Sequence, residues 1–149
     1  MSVELGTATR EDLPQLVALL GMLFSQEAEF VPDDTKQTRV LEKILSDESV
    51  GRIHVARDGG KVVGMASLIY GISTAEGGLA ASFEDLVVLP GYRGKGIGKA
   101  LLRHVIAEAR KQGVLRLTLL TDRQNERAQA LYRKLGFVDS TMKAMRLKL

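Results

Sequence analysis

The run VVLPGYRGKGIGKALL, Val87 to Leu102, gathers the residue types that bind phosphate. Gly94, Gly96 and Gly98 alternate with Lys95 and Ile97, and Arg93 and Lys99 flank them. Glycines at this spacing let backbone N–H groups approach an anion closely. A helix starting there aims its positive end at the same point. Two nucleotide loops fail on spacing. Gly91 to Gly96 has the first interval of a triphosphate loop, but Ile97 stands where lysine is needed. Gly94 to Gly98 followed by Lys99 is one residue short, and Ala100 replaces the magnesium-binding hydroxyl. A dinucleotide fingerprint fails at Lys99, where its third glycine belongs. What remains is Arg93-x-x-Gly96-x-Gly98. It reads either as a pyrophosphate cradle with cations around it or as a glycine-rich turn with a solvated basic rim.

Other reactive groups are sparse. The chain has no cysteine, which excludes disulfides, thiolate nucleophiles and zinc–thiolate sites and is the usage of a cytoplasmic protein. His54 and His104 lack Asp or Glu partners at metal-ligand spacing, so no metal is expected. The net charge of +3 is mild, and aromatic residues make up only 5%, so a nucleic-acid surface is not expected; a small anionic ligand accounts better for the basic cluster. No apolar run approaches membrane-spanning length, and the N-terminus has no export pattern.

The elements that must position the glycines form one pattern over 1–149, without repeat or linker, and indicate a single domain. A first strand, VELGTA, leads into a capping box from Thr9 to Asp12 and a helix with its stripe at Leu13, Leu16, Val17, Leu20 and Leu23. A second helix spans Thr35 to Ser46, with Val40, Leu41, Ile44 and Leu45 as its apolar face. RIHVARDGGKVVGMASLIYGI reads as a hairpin about DGG, and SFEDLVVL as a strand stopped by Pro90. A helix follows from Gly96 to about Gln112, then VLRLTLLT, whose continuous apolar character suggests a buried central strand. A short helix, NERAQALYRKLG, and a closing strand pair, FVDS and MKAMRLKL, complete an α/β domain of order β-α-α-β-β-β-α-β-α-β-β.

LVVLPGYRGKGIGKALL resembles the R/Q-x-x-G-x-G/A acyl-CoA signature of the GNAT superfamily of CoA-dependent N-acyltransferases. LTLLTDRQNERAQALYRKLGF resembles the second half of that family's cofactor site. Both motifs occur in the family's order, separated by one helix and one strand, and the element order matches over nearly the whole chain. The resemblance implies a mixed, mostly antiparallel sheet flanked by helices and acetyl-CoA as co-substrate. Residue by residue, it implies that the main chain of Leu86, Val87 and Val88 holds the pantetheine arm and acyl carbonyl. The Val88 N–H would polarise the thioester oxygen. Arg93, Gly94, Lys95, Gly96, Ile97, Gly98 and Lys99 would cradle the pyrophosphate, and Asn125 would contact the cofactor arm besides capping its helix.

The same resemblance gives Tyr132 the role of protonating the departing thiolate; otherwise it reads as a core tyrosine with its hydroxyl at a polar edge. The reaction needs a neutral amine, whereas a free alkylamine has a pKa of about 10.4. Glu84 is the candidate general base, as in polyamine-acetylating relatives with the same Glu-Asp pair. Asp85 is expected on the opposite face of the strand, by alternation. Glu27, Glu29, Asp33, Asp34 and Glu76 suggest an acidic mouth for a small cationic amine, a polyamine or amino-acid-like acceptor. A protein N-terminus or lysine is an alternative acceptor. A non-catalytic acyl-CoA-binding module and a nucleotide-phosphate binder are the competing classes. Family habit makes a homodimer the expected assembly.

Overall fold

The computed structural model describes residues 2–27 and 30–149. Strand β1 (Glu4–Thr7) is followed by a 3₁₀ turn (Arg10–Asp12) and helix α1 (Leu13–Gln26), then by α2 (Asp34–Ser46). Strands β2 (Gly51–Asp58), β3 (Lys61–Ser73) and β4 (Gly78–Val88) form a meander. A second 3₁₀ turn (Pro90–Tyr92) leads to α3 (Ile97–Lys111), β5 (Leu117–Thr118) and α4 (Glu126–Lys134). The five strands lie side by side in sequence order. Every pairing is antiparallel except the parallel β4–β5 contact.

Local chemistry accounts for these elements. The β2–β3 reversal is the expected tight turn. Asp58 pairs with Lys61 across Gly59 and Gly60, whose φ values of +55° and +90° suit glycine. The start of α1 follows the Thr9–Asp12 pattern, the Asp12 carboxylate accepting the Thr9 N–H at 2.7 Å. The same carboxylate takes Arg57 of β2 in a two-pronged pair, at 2.5 and 2.6 Å, and is only 4% exposed. The side-chain hydrogen bond from Arg57, opposed by burial, holds Asp12 below the ordinary carboxylate range. Its stabilisation is therefore complete above that range and is lost as pH falls through the lowered value. Asp12→Asn is expected to cost about 2–4 kcal/mol of unfolding free energy at neutral pH, measured by denaturant titration, because it leaves Arg57 without its counter-ion.

Two apolar layers sandwich the sheet. Leu16, Leu19 and Leu20 of α1 and Leu41 and Ile44 of α2 cover one face, packing on Ile53, Val55, Met65 and Val87. Leu101, Leu102, Val105 and Ala109 of α3 cover the other, on Ala66, Leu68, Ala81 and Phe83, with Leu131 and Tyr132 of α4 at the edge. Val40, expected on the buried face of α2, is instead 53% exposed.

The last third of the chain departs from expectation twice. VLRLTLLT contributes only two paired residues, and Leu115 and Leu120 are exposed, so β5 is an edge strand rather than a central one. The closing strand pair is absent: residues 137–149 carry no strand, and Met142, Met145, Leu147 and Leu149 face solvent. Alternation decides which side of a strand is apolar, but a strand also needs a ladder partner. The short β5 does not extend one. Arg146 lies instead over the Phe30 ring at 5.7 Å, in the connection between α1 and α2.

Candidate active site

The β3–β4 ladder slips where the sequence reads Glu-Asp. Ser67 pairs with Glu84 and Met65 with Val87, so Asp85 and Leu86 together oppose Ala66. Asp85 takes φ +59°, the one described non-glycine residue in the left-handed region. This is a β-bulge, and it breaks the alternation on which the opposite-face placement of Asp85 rested. Glu84 is exposed and Asp85 half-buried. Burial first, then the charges of Glu84 and Glu27, push the Asp85 carboxyl up to about 7. Glu27, at the end of α1, therefore lies within electrostatic reach of the bulge.

Pairing between β4 and β5 stops at Ser82 and Thr118, so from Phe83 to Val88 no described strand lies beside the outer edge of β4. Leu89 donates its N–H to Val63 of β3 at 2.9 Å, so strand alternation turns the Val88 N–H and carbonyl toward that open edge. The Val88 carbonyl already accepts Arg93 Nε at 2.9 Å. The side chains of the predicted triplet are structural. Leu86 packs against the α3–α4 layer, Val87 against the α1–α2 layer, and Val88 near Ile97. Of their main chain, Val88's N–H and carbonyl border the open edge of β4.

At the end of this edge lies the glycine loop. Gly94 and Gly96 have φ values of +76° and +81°, and Gly96 caps α3. A Cβ on either would meet no atom within 4 Å, so the loop opens on free space that a side chain would fill. Gly98 lies over Val88, its hypothetical Cβ 3.9 Å from Cγ2, and Ile97 is buried beneath, fixing the helix start. Lys95 Nζ sits 5.8 Å from the Tyr92 ring centre, and the Tyr92 hydroxyl donates to Asp58 at 2.7 Å, bracing the loop. The Lys99 ammonium is held below its ordinary value mainly by the positive charge of Lys134, then by Arg103. Sequence reading missed these two cations. The i,i+4 spacing of Lys99 and Arg103 signals one helix face, but nothing local brings Lys134 of α4 to it.

Tyr132 packs from α4 onto the unpaired stretch of β4. Its ring meets Phe83 edge-on at 6.2 Å and Phe137 at 5.8 Å. Its hydroxyl makes no hydrogen bond among the described residues. Burial first, then Glu27, raises its pKa, so it is a neutral phenol at physiological pH. Glu27 thus acts on both Asp85 and Tyr132. Asn125 caps α4, accepting the Ala128 N–H at 3.1 Å.

The acidic mouth is only partly assembled. Asp33 caps α2, and Glu76 pairs with Arg116 at 3.6 Å by the β3–β4 reversal, remote from the bulge along β4. Asp34 is exposed in the first turn of α2, and Glu29 lies outside the described residues. Of the four that are described, Glu27 reaches the bulge. His54 and His104 meet edge-on at 5.3 Å, and His54, buried against the hydrophobic layer, is pushed down to about 4. No cluster of metal-ligating side chains occurs among the described residues. No described helix is long and apolar enough to cross a membrane.

Residues 17–137 match the model of the acetyltransferase (GNAT) family. An uncharacterized N-acetyltransferase of Mycobacterium tuberculosis is 34% identical over 120 residues, covering 80% of this chain and 72% of the relative. Glucosamine 6-phosphate N-acetyltransferase of Trypanosoma brucei brucei is 31% identical over 144 residues, covering 92% and 90%. An integron cassette protein from the mobile metagenome of Cole Harbour Salt Marsh superposes with a TM-score of 0.85 at 31% identity, over 97% of this chain and 90% of that one. By the family match over most of its length and by these relatives, the chain belongs to the GNAT acetyltransferase family.

Proposed function

We propose that the protein transfers an acetyl group from acetyl-CoA to the primary amine of a small cationic acceptor. What supports this reading most is the unpaired stretch of β4 beyond Ser82, which carries Asp85 in its bulge and Phe83 against the Tyr132 ring, and leads into the positive-φ glycines Gly94 and Gly96. That layout suits a long thioester whose polyanionic phosphate end lies far from its acyl group. Its phosphates would lie on the N–H groups of Gly94 to Lys99, with Arg93, Lys95 and Lys99 supplying charge and Arg103 and Lys134 adding to the local positive field.

When bound, acetyl-CoA supplies an activated acyl group. The chain's own groups do the rest. The Val88 N–H, on the open edge of β4, would stabilise charge on the acyl oxygen. Leu86 presents its main chain to the arm and Asn125 lies at the head of the helix beside it. Tyr132 donates toward sulfur as negative charge collects there. Glu27 and Glu84 favour a cationic acceptor over a neutral or anionic one.

Incubating the protein with acetyl-CoA and a panel of primary amines, while following free thiol, tests the reading. Amine-dependent thiol release with polyamines or amino-acid-like amines is expected. Turnover confined to neutral or anionic acceptors contradicts the acceptor class.

A further inference from the structure

We propose that Asp85, rather than the adjacent Glu84, takes the proton from the incoming amine. This rests on the acetyltransferase reading above and assigns the step that the family resemblance implies for Glu84. The geometry separates the two carboxylates. Glu84 continues the regular ladder opposite Ser67 and is exposed to solvent, outside the bulge. Asp85 is the residue that the bulge pushes out of register, in a left-handed conformation, half-buried, on the stretch of β4 beyond its last pair with β5. No described group forms a hydrogen bond or ion pair with it. A buried carboxylate without a partner is costly, and the bulge holds it at the cleft, where an ammonium would relieve that cost.

The charges that act on it are Glu84 on its own strand and Glu27 at the end of α1; Glu27 acts on Tyr132 of α4 as well, and the buried Ser67 hydroxyl, opposite Glu84 on β3, has no partner among the described residues. The charges among them are negative, and each favours a positive acceptor and a protonated Asp85. An apparent value near 7 suits a base working at neutral pH, half ionised and still strong enough to accept a proton.

The proton balance is complete without an added reagent. Asp85 takes one proton from the acceptor ammonium. The freed lone pair forms the C–N bond as the C–S bond breaks. Tyr132 gives its phenolic proton to sulfur and regains one from the acylated nitrogen. Asp85 releases its own proton to solvent. One ammonium and one thioester become one amide, one thiol and one released proton.

The test is the pH profile of kcat/KM, measured with primary amines whose own pKa values differ. The wild type is expected to show an acid limb near pH 7 that stays put across the panel, the rate rising as Asp85 ionises. Asp85→Asn is expected to lose that limb and to fall roughly 100-fold or more in kcat, with acetyl-CoA affinity unchanged. Asn tolerates positive φ, so this variant keeps the bulge. Glu84→Gln is expected to raise KM for cationic amines while retaining the limb. A wild-type limb that tracks each amine's pKa, or an Asp85→Asn enzyme with wild-type rate and limb, overturns the assignment while leaving the acetyltransferase reading intact. A wild type that binds acetyl-CoA but acetylates no amine ends both.

Discussion

Replacing Gly96 by Val is expected to weaken acetyl-CoA binding roughly 100-fold, read by titration calorimetry, in a chain that still folds. Gly96 sits at φ +81° with open space above it. A β-branched residue is strained there by at least about 1–2 kcal/mol, so the loop would move. Its Cβ would also project into the volume where the anion must lie. Displacing two charge-assisted N–H bonds, each worth about 1.5 kcal/mol or more, corresponds to about two decades in Kd. The variant's far-UV spectrum and cooperative melting are expected to persist, because no core side chain touches the position. Unchanged affinity would mean that the loop does not hold the phosphates.

Tyr132→Phe is expected to lower kcat about 100-fold and leave the acetyl-CoA Kd within about twofold of wild type. The ring, which packs on Phe83 and Phe137, is retained, so only the hydroxyl is lost. Burial and Glu27 keep that hydroxyl protonated throughout the neutral range. A phenol above 10 is a weak acid against a thiol near 8.5. Its proton therefore moves to sulfur together with the return of the nitrogen proton, and the expected loss lies toward the low end for general-acid catalysis. Steady-state rates with a saturating amine, paired with calorimetry, separate the two effects. A drop in affinity with kcat unchanged would make Tyr132 a packing residue.

Much of this site is legible in the residues because its parts are local. Gly94, Gly96 and the start of α3 are specified within a few positions, and the failed nucleotide spacings narrow the ligand before any fold is known. The Thr9–Asp12 start of α1 and the Gly59–Gly60 reversal are legible for the same reason. Asp85 is different. Alternation along SFEDLVVL places it away from Glu84, and only the paired register shows that β4 carries one residue more than β3 can match. A bulge is a property of two strands, and nothing in either alone announces it. The approach of Lys134 to Lys99 and of Glu27 to Asp85 is likewise tertiary. The C-terminal segment errs in the other direction. Its alternation of Met145, Leu147 and Leu149 with Arg146 and Lys148 has strand periodicity, yet β5 offers no ladder to receive it.

The binding and activity expectations depend on the open edge of β4 and the glycine loop forming one binding site for CoA. Calorimetric titration of the purified protein with CoA, and separately with ATP, tests this most directly. Saturable binding of CoA at one site per chain, undiminished by ATP, is the predicted result. Binding of ATP with equal or greater affinity, or no heat with CoA, would contradict it.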